Sequence, residues 1–394
     1  MARNARYGKP DGAAELREYA QLVAATFAGE IEPMQAWIDS LGAQNVRVLR
    51  GDGKIDAGLS IYDMGQFFGG RSVPCWGLAG VAIPSHARGR GCGYELMAAN
   101  LREQVEDGPP LAVLYPASTA FYCKFGYEQA GHFVGASVRP LELRPFRSRL
   151  HARPLGSDDW PALRAVYTRA RQGENGSLDR NDELWERKRR VAASQILQGT
   201  IIEREGKPEA YLLFTLTRQP GRLMLNMAIR DWAHTTAEAG EAMMAQLYGQ
   251  RSVVEEISFQ AAPNDARLRL VVHDGVVPVS ETMLWMLRVV RVRDALTGRG
   301  WPAVEAEAAF TITDDVVPEN CGSWRLRVKD GKAEVKRERR ARATLDIRGL
   351  AALYSGFQGP AGLRRMGLLE GDDQHDGALA VMFAGPAPWM ADIF

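Results

Sequence analysis

The stretch that decides the fold reads VAIPSHARGRGCG, from Val81 to Gly93. An apolar run ends at Pro84, a basic glycine-rich turn follows, and from Tyr94 onward apolar residues recur at helical spacing. This order predicts a strand, a tight turn and a helix. Glycine lets successive backbone N–H groups point into one small volume, and the first turn of a helix adds unpaired donors of its own. Such a concavity binds phosphate or pyrophosphate, so the turn is predicted to hold a phosphorylated cofactor.

Three kinds of phosphate loop compete for this turn. A P-loop requires Gly-Lys-Ser/Thr, and neither Lys-Ser nor Lys-Thr follows Gly91 or Gly93. The dinucleotide fingerprint requires a glycine three residues after its second one, where this chain has Tyr94. The pattern Arg-x-x-Gly-x-Gly, beginning at Arg88, does fit, and it resembles the acetyl-coenzyme A loop of the GCN5-related N-acetyltransferases (the GNAT superfamily). An ordinary glycine turn between a strand and a helix is the alternative.

A second motif, ASTAFYCKFGYE, follows a short apolar strand that ends before Pro116. Ser118 can cap a short helix, and Gly126 can end it. The string PAS-x-x-FY-x-K/R-FGY resembles the enhanced intracellular survival (Eis) branch of the superfamily. The resemblance places the hydroxyl of Tyr122 beside the sulfur of coenzyme A as it leaves. Aromatic packing with the hydroxyl at the rim is the alternative reading of Tyr122.

The resemblance also implies which residues bind the cosubstrate, acetyl-CoA, without a metal. Backbone N–H groups at the strand end can hold the acetyl oxygen if the strand bulges or splays there. Arginines of the turn add positive charge for the diphosphate. The predicted cofactor-binding residues are Val81, Ala82, Ile83, Arg88, Gly89, Arg90, Gly91, Cys92, Gly93 and Ser118.

Composition indicates a protein of ordinary globular type. A length of 394 residues suggests two or three domains. The 49 Lys and Arg residues nearly balance 48 Asp and Glu residues, which argues against nucleic acid as the main partner. No apolar run approaches the ~20 residues that span a bilayer, and the start, MARNARYGKPDG, lacks a signal-peptide core. Because the four cysteines are scattered without metal spacing, we expect reduced thiols in a cytoplasmic protein without a membrane partner.

The chain divides into three predicted segments. Residues 1–145 follow the GNAT order of two helices, three antiparallel strands, helix, strand, helix and a last strand pair near Tyr127–Val138. Residues 146–284 repeat this plan with MAIRDWAHTTAEAG in place of the glycine loop, which predicts a degenerate GNAT-like domain that binds no cofactor. An unrelated α/β domain is the alternative for this segment. Residues 285–394 resemble the sterol carrier protein-like domain of Eis chains, through the strings LRVV-x-V-x-x-AL, DI-x-x-LAALY-x-G and PW-x-x-x-x-F.

The fold class implied by the resemblance is α+β, with tandem GNAT-like domains, each a mixed sheet flanked by helices, before a sterol carrier protein-like α/β domain. The last residues, PAPWMADIF, are unusually apolar for a chain end, which predicts a tail tucked into the protein. The Eis resemblance assigns the α-carboxylate of Phe394 as general base and Tyr122 as general acid in a direct transfer. A tail that only packs, or that joins an oligomer contact, is the alternative.

The acceptor site is predicted on the first two helices. Glu30, Glu32, Asp392 and the terminal carboxylate are expected to form a negative pocket rimmed by Phe27 and Trp37. The resemblance implies a small-molecule amine acceptor of the aminoglycoside type, and a homo-oligomer, specifically a hexamer. Solvated loop charge is the alternative for the two glutamates. Two other functions stay open: a protein lysine acetyltransferase, and a non-enzymatic binder that takes an apolar ligand in its last domain and only senses acetyl-CoA.

Overall fold

A computed structural model describes residues 6–51, 53–192, 194–263, 265 and 279–394. The strands of this part of the chain form one sheet of thirteen strands and a second of five. In chain order the strands are β1 (Arg6–Gly8), β2 (Val46–Gly51), β3 (Lys54–Phe68), β4 (Arg71–Ala82), β5 (Leu111–Leu114), β6 (Glu128–Val138), β7 (His151–Pro154), β8 (Leu178–Asp179), β9 (Leu197–Arg204), β10 (Lys207–Arg218), β11 (Leu225–His234), β12 (Val254–Ala261), β13 (Val279–Val289), β14 (Ala306–Thr313), β15 (Gly322–Lys329), β16 (Lys332–Arg337), β17 (Ala343–Asp346) and β18 (Leu369–Gly371).

The described helices agree closely with the sequence pattern for the first unit and less well for the second. They are α1 (Gly12–Phe27), α2 (Ile31–Leu41), α3 (Cys92–Asp107), α4 (Thr119–Cys123), α5 (Trp160–Arg171), α6 (Asp182–Arg189), α7 (Ala237–Gly249), α8 (Val292–Gly298), α9 (Ile347–Ser355), α10 (Pro360–Arg365) and α11 (Asp376–Met382). The sequence pattern predicted neither the helix α6 nor the strand β14. The predicted first hairpin is β2 and β3, although the central residue of its turn, Asp52, lies outside the described residues.

The two GNAT-like units share the large sheet, whose order is β1-β2-β3-β4-β5-β13-β6-β12-β11-β10-β9-β7, with β8 beside β3. Within it, β4 pairs with β5 in parallel, and β11 pairs with β12 in parallel, whereas the other recorded pairs are antiparallel. Each unit therefore carries the same parallel pair after its antiparallel strands. The predicted tandem α+β architecture is confirmed.

The strand β13 corrects two predictions. It lies between β5 and β6 and is antiparallel to both, so Tyr127–Val138 holds one strand and not a pair. The predicted boundary between residues 284 and 285 falls inside β13. The run from Trp285 to Val290 is fully buried, which suits a strand at the centre of a sheet covered on both faces. The third unit therefore starts at α8, after this strand has completed the tandem sheet.

The C-terminal unit has its own sheet, in the order β16-β15-β14-β17-β18. The strands β15 and β16 form a hairpin with Trp324, Leu326 and Val328 buried. Its outward basic side chains form ion pairs with Glu305 and Glu338 among other acids. This arrangement is that of a solvated face and not of an anion site.

Candidate active site

A bulge near the end of β4 creates the first element of the site. Ser60 of β3 pairs with Ala79, but Gly58 pairs with Ala82, so β4 contains one extra residue. Gly80 in this bulge has φ of +58°. The Tyr19 hydroxyl donates to the Gly80 carbonyl at 2.9 Å, and a Cβ on Gly80 would lie 2.8 Å from that hydroxyl oxygen. Glycine is thus required by both backbone conformation and space.

Beyond the bulge, β4 and β5 separate. Their parallel pairing runs from Cys75 opposite Leu111 to Leu78 opposite Leu114, after which β5 ends and β4 continues. On this side, the described residues record no strand partner for the last residues of β4. A bulge between Ala79 and Ala82 and a separation from β5 after Leu78 are therefore both present at the end of β4, directly before Ile83.

The glycine turn after β4 has the geometry of an anion cradle. Gly89 and Gly91 have φ of +74° and +88°, and a Cβ at either position would meet nothing within 4 Å. Gly91 caps α3, and no side chain caps this helix, so the N–H groups of its first turn remain available. Arg88 and Arg90 are exposed beside the turn, whereas the side chain of Cys92 is buried and can offer only its backbone. These residues fit the diphosphate of acetyl-CoA.

Tyr122 lies on α4, directly after β5. Its side chain is 6% exposed, and its ring packs against Phe121 and Tyr127 at centroid distances of 5.1 and 6.0 Å. Burial raises the pKa of the Tyr122 phenol to about 12, and the described residues provide no recorded hydrogen-bond partner for its oxygen. Ser118 caps α4 only through its carbonyl, which accepts from Phe121, and its side chain is exposed. Tyr122 is consequently a protonated donor near neutral pH.

The apolar tail is packed into the protein, as predicted. Trp389 and Met390 are buried, and the Trp389 indole donates to Glu174 at 2.9 Å. Asp392 is buried as well, and it accepts from Arg180 at 3.0 Å and from Lys188 at 2.9 Å. Burial alone would raise the pKa of Asp392, but these two cations hold it well below its ordinary value. An ion-pair cluster therefore fixes the tail two residues before its end.

The Phe394 ring lies where β4 and β5 separate. It contacts the rings of Tyr62 and Tyr115 at centroid distances of 5.5 and 5.8 Å. A Cβ on Gly77 of β4 would lie 2.8 Å from Cε2 of Phe394. Tyr122 packs with the residues on the α3 side of the sheet, and Phe394 packs on the opposite side. The two side chains therefore lie on opposite faces of the large sheet, close to the β4–β5 pair.

A cavity of about 800 Å³ opens beside Phe394. Phe27 and Trp37 line it, as predicted. The prediction of an acidic wall is wrong for the described residues, because Glu30 and Glu32 are outside the lining. Glu32 pairs with Arg17 at 2.9 Å on the surface, and Asp392 is already neutralised by its cations. The described lining residues are Val23, Phe27, Pro33, Met34, Ala36, Trp37, Ala79, Gly80, Arg187, Arg190, Arg230 and Phe394.

The arginines of this cavity were missed by the sequence reasoning. Arg187 lies on α6, a helix whose N-cap, Asn181, accepts from the Leu184 N–H at 2.9 Å. The Tyr62 hydroxyl accepts from Arg187 at 2.5 Å and from Trp37 at 2.6 Å, and burial raises its pKa. The asparagine cap before the pair Leu184–Trp185 was a usable helix signal in an otherwise charged segment.

The second unit repeats the bulge and splay without the cradle. Opposite β10, β11 has one extra residue at Arg230, and its pairing with β12 ends at Ala228 and Ser258. The following helix, α7, is closed by its own side-chain cap, because Thr236 accepts from the Ala239 N–H at 3.2 Å. A capped helix without a glycine turn offers no comparable anion site. The start of α7 therefore differs from the uncapped, glycine-preceded start of α3.

Comparison with known families identifies three consecutive matches. Residues 8–130 match an acetyltransferase (GNAT) domain, residues 176–292 match a second acetyltransferase (GNAT) domain, and residues 292–391 match a sterol carrier protein domain. The second and third matches meet at Val292, where α8 begins. The described helices include none long and apolar enough to cross a membrane. Nor do the described side chains include a cluster of three or more His, Cys, Asp or Glu able to hold a metal ion.

Whole-chain relatives give the same result. A crystal structure of a GCN5-related N-acetyltransferase from Anabaena variabilis is 30% identical, with a TM-score of 0.95, and the match covers 99% of this chain and 100% of that one. The N-acetyltransferase Eis of Mycobacterium tuberculosis is 29% identical over 364 residues, covering 85% of this chain and 86% of the relative. Eis1 from Mycobacterium abscessus shares the fold at 19% identity, with a TM-score of 0.82.

Proposed function

The chain belongs to the GCN5-related N-acetyltransferases, in the Eis-like arrangement of two GNAT domains and a sterol carrier protein domain, and on that premise we propose that it acetylates a primary amine in the cavity beside Phe394. GNAT acetyltransferases use acetyl-CoA, which supplies the acetyl group as a thioester whose thiol leaves. Three observations support the proposal: the open glycine cradle before α3, the buried side chain of Tyr122 on α4, and the Phe394 ring packed beside Gly77 of β4.

Two protons must move during a direct transfer. The amine nitrogen forms a bond to the acetyl carbon and loses a proton, while the bond from that carbon to sulfur breaks and the sulfur gains one. Tyr122 donates the proton that the leaving sulfur gains, because burial keeps the phenol protonated and no described residue competes for this proton. The backbone donors of the β4 bulge, at Val81 and Ile83, stabilise the acetyl oxygen.

The α-carboxylate of Phe394 is the proposed base that takes the proton lost by the acceptor amine. An ordinary α-carboxyl group has a pKa of ~3.5, which makes it a weak base in water. The Phe394 ring contacts the rings of Tyr62 and Tyr115, which holds the chain end beside the cavity. A water molecule between amine and carboxylate can relay the proton.

The acceptors implied by the Eis resemblance are aminoglycosides, and lysine side chains of proteins are the second candidate. The assay is thiol release by the full chain with acetyl-CoA and three acceptors: kanamycin, a lysine-containing peptide and a simple benzylamine. Acceptor-dependent thiol release with any of them supports acetyl transfer. Absence of release with every amine tested, together with recovery of an apolar ligand from the purified protein, would favour the binder.

Displacing the α-carboxylate of Phe394 tests its proposed role as the base. Appending Gly-Ser after Phe394 displaces the α-carboxylate while leaving Asp392 in its ion pairs. We expect kcat to fall about 10-fold or more, with the dissociation constant for CoA unchanged. The matched control carries the same two residues at the N-terminus. An extended enzyme with full activity would remove the carboxylate from the mechanism.

A further inference from the structure

The charge of the acceptor cavity is opposite to that predicted from the sequence. All the charged side chains in its described wall are basic: Arg187, Arg190 and Arg230. The uncharged part of the wall includes Phe27, Met34 and Trp37, so the cavity combines an apolar surface with guanidinium groups.

The described acids do not neutralise all three arginines. Arg190 is paired with Glu183 at 3.0 Å. Arg187 donates to the Tyr62 hydroxyl, and Arg230 donates to the Arg190 carbonyl at 3.2 Å. Neither Arg187 nor Arg230 has a carboxylate partner among the residues that the structure describes. With one negative charge from the terminal carboxylate, the described groups leave the cavity net positive.

The nearest acids are committed elsewhere. Asp392 is bound by Arg180 and Lys188, and Asp231 is bound by Arg180 at 2.6 Å. These four groups have no net charge and are largely buried. They cannot turn toward an acceptor without leaving a cation unpaired inside the protein, which is strongly unfavourable.

Both uncompensated arginines come from the second GNAT-like unit. Arg230 is the extra residue of the β11 bulge, and Arg187 lies on α6 with its guanidinium 5.7 Å from the Tyr62 ring centroid. The two side chains also line a smaller cavity of about 390 Å³ over β11 and β12. The unit without a cofactor cradle thus contributes its own bulged strand to the acceptor site of the first unit.

We propose that the acceptor is a primary amine that also bears an anionic oxygen group, a carboxylate or a phosphate, bound by Arg187 and Arg230. The apolar part of the acceptor lies against Phe27 and Trp37, and its amine faces the terminus at Phe394. Guanidinium groups recognise both kinds of oxyanion through paired N–H donors. A polycation would be repelled by the same groups. The inference rests on the proposed function and names its substrate class.

The test compares three benzylamines that differ only in the para substituent, with kanamycin as the polycation. Thiol release by the full chain is measured with 4-(aminomethyl)benzoate, 4-(aminomethyl)phenylphosphonate, 4-methylbenzylamine and kanamycin. We expect kcat/KM for one or both anionic amines to exceed that for 4-methylbenzylamine at least 10-fold, with kanamycin below both. The two anionic compounds separate carboxylate from phosphate-type recognition.

Variants assign the preference to the two arginines. Arg187→Gln and Arg230→Gln should each reduce the ratio of anionic to neutral kcat/KM at least 3-fold, mainly through KM. Arg187→Lys keeps the charge and should retain part of the ratio, which separates charge from packing on Tyr62. Arg218→Gln is the matched control, because Arg218 is an exposed arginine on β10 outside both cavities. It should leave the ratio unchanged.

The outcomes separate this inference from the proposed function. If the neutral amine or kanamycin is acetylated as well as the anionic amines, the inference fails and the proposed acetyl transfer stands. A preference that survives in both glutamine variants would also overturn it. If none of the amines is acetylated, the proposed function fails and the inference fails with it.

Discussion

At the scale of single residues, Tyr122 is set apart by its surroundings. Its phenol is buried without a recorded partner among the described residues, and the pKa of the phenol is raised to about 12 by that burial alone. In the proposed mechanism, the proton that this phenol keeps at neutral pH is the one that passes to the leaving thiolate.

Tyr122→Phe removes the hydroxyl and keeps the ring. We expect kcat to fall about 10²-fold or more, the typical contribution of a positioned acid, without a change in CoA affinity or melting temperature. Thiol release, calorimetric titration with CoA and thermal unfolding measure the three quantities. Tyr127→Phe is the control, because that neighbouring tyrosine is also buried. Equal losses in both variants would contradict a specific role for Tyr122.

The raised pKa of the Tyr122 phenol determines in which direction the free energy of unfolding changes with pH. Its pKa rises from about 10 in the unfolded chain to about 12 in the folded protein. The neutral phenol therefore contributes stability that is full below pH 10 and is lost as pH rises toward 12. The free energy of unfolding of the wild type should fall more steeply above pH 10 than that of Tyr122→Phe. Identical slopes in urea unfolding between pH 9 and pH 11 would contradict the burial of this phenol.

Gly77 tests the position of the terminal ring. An added Cβ would lie 2.5 Å from Cε of Met64 and 2.8 Å from Cε2 of Phe394. Because the added Cβ overlaps both side chains, Gly77→Ala should displace the Phe394 ring, lower kcat at least 10-fold and cost about 1–3 kcal/mol of stability. Gly173→Ala, at an exposed position with nothing within 4 Å, is the control for both measurements. Unchanged activity in Gly77→Ala would argue against a role for Phe394.

At the scale of elements, the tail is held by an ion-pair cluster and not by its aromatic residues alone. Asp392 forms ion pairs with Arg180, which also pairs with Asp231 of β11, and with Lys188 of α6. Because its pKa is depressed, this contribution is full above about pH 4, the ordinary aspartate value, and is lost only as pH falls further. The docked tail should persist across the neutral range in which the enzyme is assayed.

Asp392→Asn removes the charge and leaves Lys188 without its partner. We expect faster hydrogen exchange in residues 389–394, lower kcat and a loss of about 3 kcal/mol of stability. Asp182→Asn, which breaks an exposed pair with Arg164, should change each quantity little. A tail that stays protected in Asp392→Asn would show that apolar packing alone docks it.

Features built from one element could be predicted from the sequence, whereas features that combine several elements could not. The glycine turn, α4 with Tyr122, and the buried tail were predictable because each depends on neighbouring residues. The basic acceptor wall was not, since Arg187 and Arg230 lie on separate elements and meet only in the folded chain. Glu30 and Glu32 lie at the start of α2, but Glu32 pairs with Arg17 on the surface and neither side chain lines the cavity.

At the scale of the whole molecule, the first unit is completed by a strand from far along the chain. β13 fills the position between β5 and β6, and neither its register nor its place was evident from local pattern. The buried pair of Arg288 on β13 and Asp314 in the C-terminal unit then joins the two sheets. The tandem sheet and the C-terminal unit are therefore joined by a buried ion pair as well as by the chain.

A fragment of residues 1–145 should not fold as an independent acetyltransferase. Without β13 it exposes the facing edges of β5 and β6, and unpaired strand edges promote aggregation. We expect the fragment to aggregate or to lack near-ultraviolet circular dichroism under conditions in which the full chain is folded. A monomeric fragment that binds acetyl-CoA would contradict this dependence.

The predicted hexamer is a separate question that light scattering on the full chain answers.

The most direct test of the account is a crystal structure of the full chain with coenzyme A. We expect the diphosphate in the turn from Arg88 to Gly93 and the sulfur within hydrogen-bond distance of the Tyr122 hydroxyl, in the gap between β4 and β5. A diphosphate bound elsewhere, or a sulfur remote from Tyr122, would contradict the mechanism.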